Sequence, residues 1–233
     1  MIEKKKIEMD DYEASELAAK FEHEGPQKVL KWVLDTFHPR VAIACSLQAE
    51  DLAIFDIAWR INPEVRAFVI DTGRLHNEDY ELIAEMEKKY NTKLEVYMPH
   101  PEDVREMVKK YGINLMYTAV PLRMLCCHIR KVVPLMEVLK DLDAWITGLR
   151  REQWASRYNI KKIEIDHEHN GIVKINPLAD WTTEQVWDYI KQNGVPINKL
   201  YNKGFKSIGC APCTRPVSEN EHPRAGRWWW EKD

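Results

Sequence analysis

Long apolar stretches are absent from this sequence. No run approaches the ~20 residues that a membrane-spanning helix needs, so we expect no membrane association. The lysines at positions 4–6 are not followed by an apolar segment, and a secretory signal is therefore not predicted. Internal repeats and low-complexity segments are also missing, which argues against solenoid and fibrous architectures.

Cysteine is scarce, and positive charge is not in excess. The chain has five cysteines, two of them adjacent, which argues against a disulfide framework and predicts a soluble protein of the reducing cytoplasm. A formal net charge of −3 gives no support to a general nucleic-acid surface. The charge is uneven, however. Residues 1–110 carry −7, from 16 basic and 23 acidic side chains, whereas residues 111–233 carry +4. The positive half contains four of the cysteines, and its cations suit a small, multiply charged anionic ligand.

Short apolar segments alternate with helical patterns along most of the chain. The predicted core strands cover residues 41–45, 65–70, 94–98 and 144–148. This alternation predicts an α/β fold with an open, mostly parallel, Rossmann-like sheet. Farther on, Asn170-Gly171 separates two alternating segments and predicts a β-hairpin. We expect one domain over residues 1–233, with a core at about 27–200 and an irregular, basic and aromatic segment at about 201–231.

Four cysteines fall into two short motifs. Cys126-Cys127 is the first, and Cys210-Ala211-Pro212-Cys213 is the second. Adjacent cysteines rarely bridge each other because the ring is strained, whereas a Cys-x-x-Cys turn presents two thiolates to one metal centre. The motifs together predict four thiolate ligands around one 4Fe–4S cluster or one zinc ion. Four unrelated buried cysteines are the alternative.

Polar loops follow the first two predicted strands. The segment Ser46–Asp51 leads into a helix, whose N-terminus offers unpaired N–H groups to an anion. An ordinary strand-to-helix turn explains it equally well. Asp71-Thr72-Gly73 follows the second strand at the equivalent edge, and alone it is a weak signal. Both loops are expected to line one crevice at the carboxyl ends of the strands.

Six motifs stand in a fixed order along the chain. They are Ser-Leu-Gln-Ala-Glu-Asp (46–51), Asp-Thr-Gly-Arg-Leu (71–75), Cys-Cys-x-x-Arg-Lys (126–131), Thr-Gly-Leu-Arg-Arg-Glu-Gln (147–153), Gly-Cys-x-x-Cys-Thr (209–214) and Arg-Ala-Gly-Arg-Trp-Trp-Trp-Glu (224–231). In this order they resemble the assimilatory adenylyl-sulfate reductases, the iron–sulfur branch of the adenylyl-sulfate and phosphoadenylyl-sulfate reductase family. The resemblance covers about residues 30–231 and implies a sheet of the adenine nucleotide alpha hydrolase type.

The resemblance also implies an activity. It is the thioredoxin-dependent reduction of adenosine 5′-phosphosulfate to sulfite and AMP, with thioredoxin or a similar dithiol as reductant. In that family a cysteine thiolate attacks the sulfonyl sulfur, AMP leaves, and the dithiol cleaves the S-sulfocysteine. A 4Fe–4S cluster accompanies adenylyl-sulfate there, so phosphoadenylyl-sulfate is the alternative substrate. We also expect a homo-oligomer.

Site residues follow from the resemblance by matched position. The 4Fe–4S cluster would be held by Cys126, Cys127, Cys210 and Cys213. Lys131 would lie between the cluster and the substrate, and Arg224 and Arg227 would bind the phosphosulfate. The remaining residues implied in substrate binding are Ser46, Leu47, Gln48, Asp51, Asp71, Thr72, Gly73, Gly148 and Arg157.

One family motif is not found in this sequence. The family carries its nucleophile in a C-terminal Glu-Cys-Gly-Leu-His motif past the tryptophans, and no cysteine follows Cys213 here. A shortened chain is the first explanation, and a natural variant that omits the step or acts by binding alone is the other. Cys45, the fifth thiol, ends a predicted core strand and is expected to be inert.

Two other functions stay open. The ATP pyrophosphatases have a similar fold, but residues 46–51 lack the glycines of their Ser-Gly-Gly-x-Asp-Ser loop. Some tRNA-thiolating enzymes of that group bind iron–sulfur clusters, although the near-neutral charge offers no tRNA-sized basic face here. The second possibility is a zinc-stapled nucleotide-binding or interaction protein without enzymatic activity.

Overall fold

The computed structural model describes residues 6–231. Within them, six strands form one sheet in the order β3-β2-β1-β4-β6-β5. Their bounds are β1 Val41–Ala44, β2 Arg66–Ile70, β3 Glu95–Tyr97, β4 Ala144–Ile146, β5 Ile163–Asp166 and β6 Ile172–Ile175. Neighbouring strands are parallel except for β5, which runs antiparallel to β6. The predicted open and mostly parallel sheet is confirmed.

Helices connect the strands and cover both faces of the sheet. In the described part of the chain they are α1 Asp11–Phe21, α2 Pro26–Phe37, α3 Ala49–Ile61, α4 Asn77–Tyr90, α5 Pro101–Tyr111, α6 Val120–Cys127, α7 Val133–Leu139 and α8 Thr183–Asn193. Side chains of β1 alternate between two apolar clusters. Val41 and Ile43 pack with α2 and α3, whereas Ala42 packs with Val138 of α7. Coverage on both faces is the reason why the central strands β1 and β4 are continuously apolar.

The predicted strand ends differ from the observed ends by one or two residues. The first strand ends at Ala44 rather than Cys45, although the Cys45 amide still donates to the Phe68 carbonyl at 2.8 Å. The predicted hairpin is present as β5 and β6. Asn170 and Gly171 have φ values of 61° and 72°, the left-handed conformation for which this pair is favoured.

A helical segment around the cysteine pair was not predicted. Helix α6 continues through a π-helical turn, His128–Val132, directly into α7. Pro121 lies in the first turn of α6, where proline is favourable because its missing N–H would be unpaired in any case. Pro134 follows the π-helical turn. Cys126 and Cys127 therefore lie where α6 meets that turn, inside one continuous helical segment.

The region after residue 203 is irregular up to Glu231, the last residue described. It contains the short 3₁₀ turn Ala211–Cys213 and an isolated β-bridge between Thr214 and Arg227. None of the helices found between residues 6 and 231 combines the length and the apolar character that crossing a bilayer requires.

Candidate functional site

The strand order changes direction beside β1. From β1 the chain proceeds to β2 and β3 on one side, and it returns only later to β4 on the other side. In open α/β sheets this switch point forms a crevice at the carboxyl ends of the strands, where ligands bind. The loops after β1, β2 and β4 all end at this crevice.

Asp51 organises the loop between β1 and α3. The Ser46 amide donates to Asp51 Oδ2 at 2.7 Å, and the Ser46 hydroxyl donates to the same oxygen at 2.5 Å. Burial raises the pKa of Asp51 to about 6, while the bonds from Ser46 act in the opposite direction. Leu47 has a buried side chain and a φ of 61°, which is unusual for a non-glycine residue. Such conformations are costly and concentrate at ligand sites.

The first turn of α3 is contacted by the C-terminal part of the chain. Gln48 precedes the helix without capping it through its side chain. Its Oε1 accepts from the Ile208 amide at 3.1 Å, and its Nε2 donates to Ser46 Oγ at 3.0 Å. The Ala49 amide donates to the Tyr201 hydroxyl at 3.0 Å. The positive end of the α3 dipole therefore lies between the β1 loop and the irregular segment.

Gly148, after β4, lies directly against the same helix turn. A Cβ atom there would stand 2.2 Å from Asp51 Oδ1 and 2.8 Å from Glu50 Cβ. Both separations are shorter than any ordinary contact, so the absence of a side chain is a steric requirement. Gly148 thus brings the β4 loop against the β1 loop and closes one side of the crevice.

The β2 loop joins the crevice to the cysteines. Asp71 accepts from the Gly73 amide at 2.7 Å and from the Tyr80 hydroxyl at 3.0 and 3.1 Å, so its carboxylate holds the loop itself. Thr72 faces the other way. Its carbonyl accepts from Arg130 at 2.7 Å, and its hydroxyl lies 3.2 Å from Cys210 Sγ.

The four motif cysteines are neighbours. Cys126 and Cys213 are buried in one cluster, and Cys210 packs against it. Burial, and then the nearby thiols of Cys210, Cys127 and Cys126, raise the pKa of Cys213 to about 12. Over residues 6–231, however, no three or more His, Cys, Asp or Glu side chains form a group that could hold a metal ion. The thiols lie close together without converging on one point.

Lys131 lies in the π-helical turn, His128–Val132. Such turns are rare and are frequent at functional sites. Its side chain is open to solvent in the crevice but crowded by protein atoms, which lowers its pKa, as does Arg227. Cys210, Cys127 and Asp51 raise it. The ammonium group therefore lies within electrostatic range of both cysteine motifs and of the β1 loop.

Three arginines extend this positive charge along the crevice. Burial and then Arg224 lower the pKa of Arg227, and the same two causes lower that of Arg157. The three arginines are Arg157, Arg224 and Arg227. Among the described residues, neither these arginines nor Lys131 form a salt bridge with a carboxylate. Four cations thus lie in succession without acidic partners.

The partners of these arginines are uncharged. Arg227 donates to the Ile208 carbonyl at 2.6 Å, and a Cβ on Gly209 would collide with its guanidinium at 2.3 Å. Arg157 donates to Gln153 Oε1, and Gln153 Nε2 in turn donates to Glu50 at 2.9 Å. Arg157 and Arg227 are therefore held in place by uncharged groups rather than by salt bridges.

Sequence reasoning missed several residues of this arrangement. Arg130, which is buried and bonded to the β2 loop, was visible only as part of the Cys-Cys-x-x-Arg-Lys motif. Gln153 likewise stands in the Thr-Gly-Leu-Arg-Arg-Glu-Gln motif, and no role was predicted for it. The contact of Tyr201 with Ala49 spans 152 positions and had no sequence signal.

Comparison with known proteins identifies the family. The model of the phosphoadenosine phosphosulfate reductase domain matches residues 40–216. The chain belongs to the phosphoadenosine phosphosulfate reductase family. It is 47% identical over 191 residues to the adenosine 5′-phosphosulfate reductase of Allochromatium vinosum, covering 82% of this chain and 74% of that protein. It is 39% identical over 221 residues to the enzyme of the same name from Pseudomonas aeruginosa, covering 93% and 82%. The chain is therefore an oxidoreductase that acts on sulfur compounds.

Solved structures agree with this family membership. The phosphoadenylyl-sulfate reductase of Candida auris, in complex with phosphate, superposes with a TM-score of 0.77 at 31% identity, covering 89% of this chain and 98% of that one. An FMN adenylyltransferase of Candida glabrata reaches a TM-score of 0.56 at 15% identity, covering 96% and 74%. At that identity the likeness concerns the fold alone.

Proposed function

We propose that this family member reduces adenosine 5′-phosphosulfate to sulfite and AMP for sulfate assimilation in the cytoplasm, with electrons from thioredoxin or a similar dithiol. The observation that supports it best is the row of four cations without carboxylate partners beside the cysteine cluster. Like charges repel, so holding them together costs free energy that a bound polyanion recovers. A phosphosulfate group supplies the matching negative charge.

The guanidiniums suit the sulfonyl and phosphoryl oxygens. Arg presents a planar fork of N–H donors that matches oxyanions. Arg224 lies close enough to Arg227 to lower its pKa, and Lys131 lies within electrostatic range of Arg227 and of the cysteines. Fixed positive charge there would stabilise the charge that develops on AMP as it leaves.

The nucleotide end is assigned to the β1, β2 and β4 loops. The N-terminus of α3 supplies a positive dipole for the phosphate, and Ser46 and Gln48 supply polar side chains at its edge. Gly148 brings the β4 loop against the β1 loop beside this part of the crevice. Arg157 closes this part of the crevice.

The cysteine cluster is assigned to a 4Fe–4S group held by Cys126, Cys127, Cys210 and Cys213. Four thiolates match the ligand set of such a cluster. When bound, the cluster would supply a fixed anionic charge, which Lys131 and Arg227 would balance.

The proposed reaction balances through a thiolate. The thiolate sulfur forms a bond to the sulfonyl sulfur, the bond from that sulfur to the phosphate oxygen breaks, and AMP leaves with the electron pair. A dithiol then releases sulfite and is oxidised to its disulfide. We assign the attack to none of the five cysteines, because four are cluster ligands and Cys45 is buried, which raises the pKa of its thiol.

Oxygen-free purification followed by metal and ligand analysis tests the proposal. We expect about four irons and four sulfides per chain, and tighter binding of adenosine 5′-phosphosulfate than of AMP or phosphoadenylyl-sulfate. We expect sulfite release with reduced thioredoxin once a thiol nucleophile is supplied, for example by a peptide carrying the Glu-Cys-Gly-Leu-His motif. Zinc without sulfide would overturn the cluster assignment. Tighter binding of phosphoadenylyl-sulfate would favour the activity for which the Candida auris relative is named.

A further inference from the structure

Three arginines surround the indole of Trp228. The guanidinium carbon of Arg123 lies 4.3 Å from the centre of the ring, that of Arg227 lies 5.4 Å away, and that of Arg224 lies 6.0 Å away. All three distances are within the range of a cation–π interaction. No other aromatic ring in residues 6–231 has more than one cation over it.

The arginines do not have equal roles. Arg123 forms two hydrogen bonds to the carboxylate of Glu231, at 2.8 and 3.0 Å, so its charge is compensated and its position is fixed. It packs closest to the indole and holds the ring. Arg224 and Arg227 have no carboxylate partner among the described residues. Their guanidiniums lie over the ring whose position Arg123 fixes.

The backbone of Trp228 is fixed as well. Its amide donates to the Cys213 carbonyl at 3.1 Å, and its carbonyl accepts from the Glu231 amide at 2.8 Å. Its φ is 48°, a left-handed conformation that a bulky residue rarely adopts. Bonds at both sides therefore maintain a costly conformation, which directs the indole toward the arginines.

An aromatic face suits this position better than a carboxylate. A carboxylate would offset the repulsion between the two guanidiniums, but it would also occupy their N–H donors and cancel the charge that attracts an anion. The negative face of an indole stabilises a cation without accepting strong hydrogen bonds. The donors of Arg224, and those of Arg227 other than the one bonded to the Ile208 carbonyl, stay available.

We propose that Trp228 is a positioning residue for anion binding, which holds the guanidiniums of Arg224 and Arg227 beside one ring with N–H donors left to bind the phosphosulfate group. This inference rests on the proposed function, since it assumes that the two arginines bind that group. The neighbouring Trp229 offers a matched control, because it is half exposed and its ring contacts Trp230 rather than an arginine.

The test compares three proteins with the unaltered chain, all purified without oxygen. They are Trp228→Leu, Trp229→Leu, and a chain with tetrafluorotryptophan at position 228. The fluorinated ring keeps the shape of the indole but loses its negative face, so a role in packing alone would be unaffected. Calorimetry measures the Kd of adenosine 5′-phosphosulfate and of AMP, and thermal unfolding is measured alongside.

We expect the Leu variant at position 228 to weaken adenosine 5′-phosphosulfate binding about tenfold or more, the change expected from losing two partly desolvated cation–π contacts. The fluorinated chain should lose several-fold affinity at an unchanged unfolding temperature, and the variant at Trp229 should bind normally. Normal binding by the fluorinated chain would overturn the inference while leaving the proposed function intact. Failure of the unaltered chain to bind adenosine 5′-phosphosulfate would overturn both.

Discussion

Gly148→Ala tests whether the crevice depends on close contact between the β1 and β4 loops. The added Cβ would stand 2.2 Å from Asp51 Oδ1, about 1 Å inside an ordinary carbon–oxygen contact. Asp51 cannot turn away freely, because it accepts two hydrogen bonds from Ser46. The helix start, the β4 loop or both must therefore move.

The expected cost follows from these contacts. Adding a carbon to a packed interior costs about 1–3 kcal/mol, and weakening one charge-assisted hydrogen bond of Asp51 adds about 1–2 kcal/mol. We expect Gly148→Ala to lower the free energy of unfolding by about 2–5 kcal/mol. For a chain of this size, that corresponds to roughly 4–20 °C in Tm.

Gly25→Ala is the matched control. Gly25 precedes α2, and its Cβ would meet only the flexible end of Gln27, at 3.2 Å. We expect its free energy of unfolding to change by less than about 1 kcal/mol. Urea unfolding and AMP binding are measured for both variants. Together they distinguish a steric requirement at Gly148 from a general effect of replacing glycine by alanine. Equal stability of the two variants, or normal AMP affinity in Gly148→Ala, would refute the reasoning.

Three further substitutions have definite expected outcomes. Burial raises the pKa of Asp51 from 3.8 to about 6, so this group contributes stability below about pH 4 that is lost as the pH rises to about 6. The loss of stability over this pH range is about 3 kcal/mol. Asp51→Asn should abolish this contribution to the pH dependence of urea unfolding. An unchanged pH profile in the variant would assign the contribution to another group. Cys127→Ser should lower the iron content sharply, whereas Cys45→Ala should not, and equal iron in both would remove Cys127 from the ligand set. Arg224→Ala should weaken adenosine 5′-phosphosulfate binding about tenfold or more but AMP binding less, as calorimetry would show; equal losses would move Arg224 away from the sulfonyl end.

The fold was largely predictable because its signals are local. The strands β1 and β4 are apolar throughout, since burial on both faces of a parallel sheet selects for such runs. The hairpin was predictable for a similar reason, because Asn170 and Gly171 tolerate the left-handed conformation that its turn needs. The helices around the cysteine pair were not predicted. Pro121 occupies a first-turn position of α6 that accepts proline, and Pro134 follows the π-helical turn.

The residues gathered at the crevice stand in motifs that the sequence shows, whereas their arrangement could not be predicted. The functional roles assigned to them stay predictions. The sequence motifs contain the cysteines and the cations. No local pattern indicates that Arg123 forms a salt bridge with Glu231 across 108 positions, or that Arg224 and Arg227 share the indole of Trp228. Asp71 shows the difference most clearly. It was proposed as a substrate-binding residue, and the structure engages both of its oxygens within its own loop and with Tyr80. Its role in substrate binding stays a prediction.

The irregular segment after residue 203 has a consequence for folding. It is joined to the β2 loop by contacts such as that of Thr72 with Cys210, 138 positions apart. Such distant pairings form late, because the intervening chain must first be ordered. The anion site is therefore expected to assemble after the sheet, and a folding intermediate with an ordered sheet would not yet bind substrate.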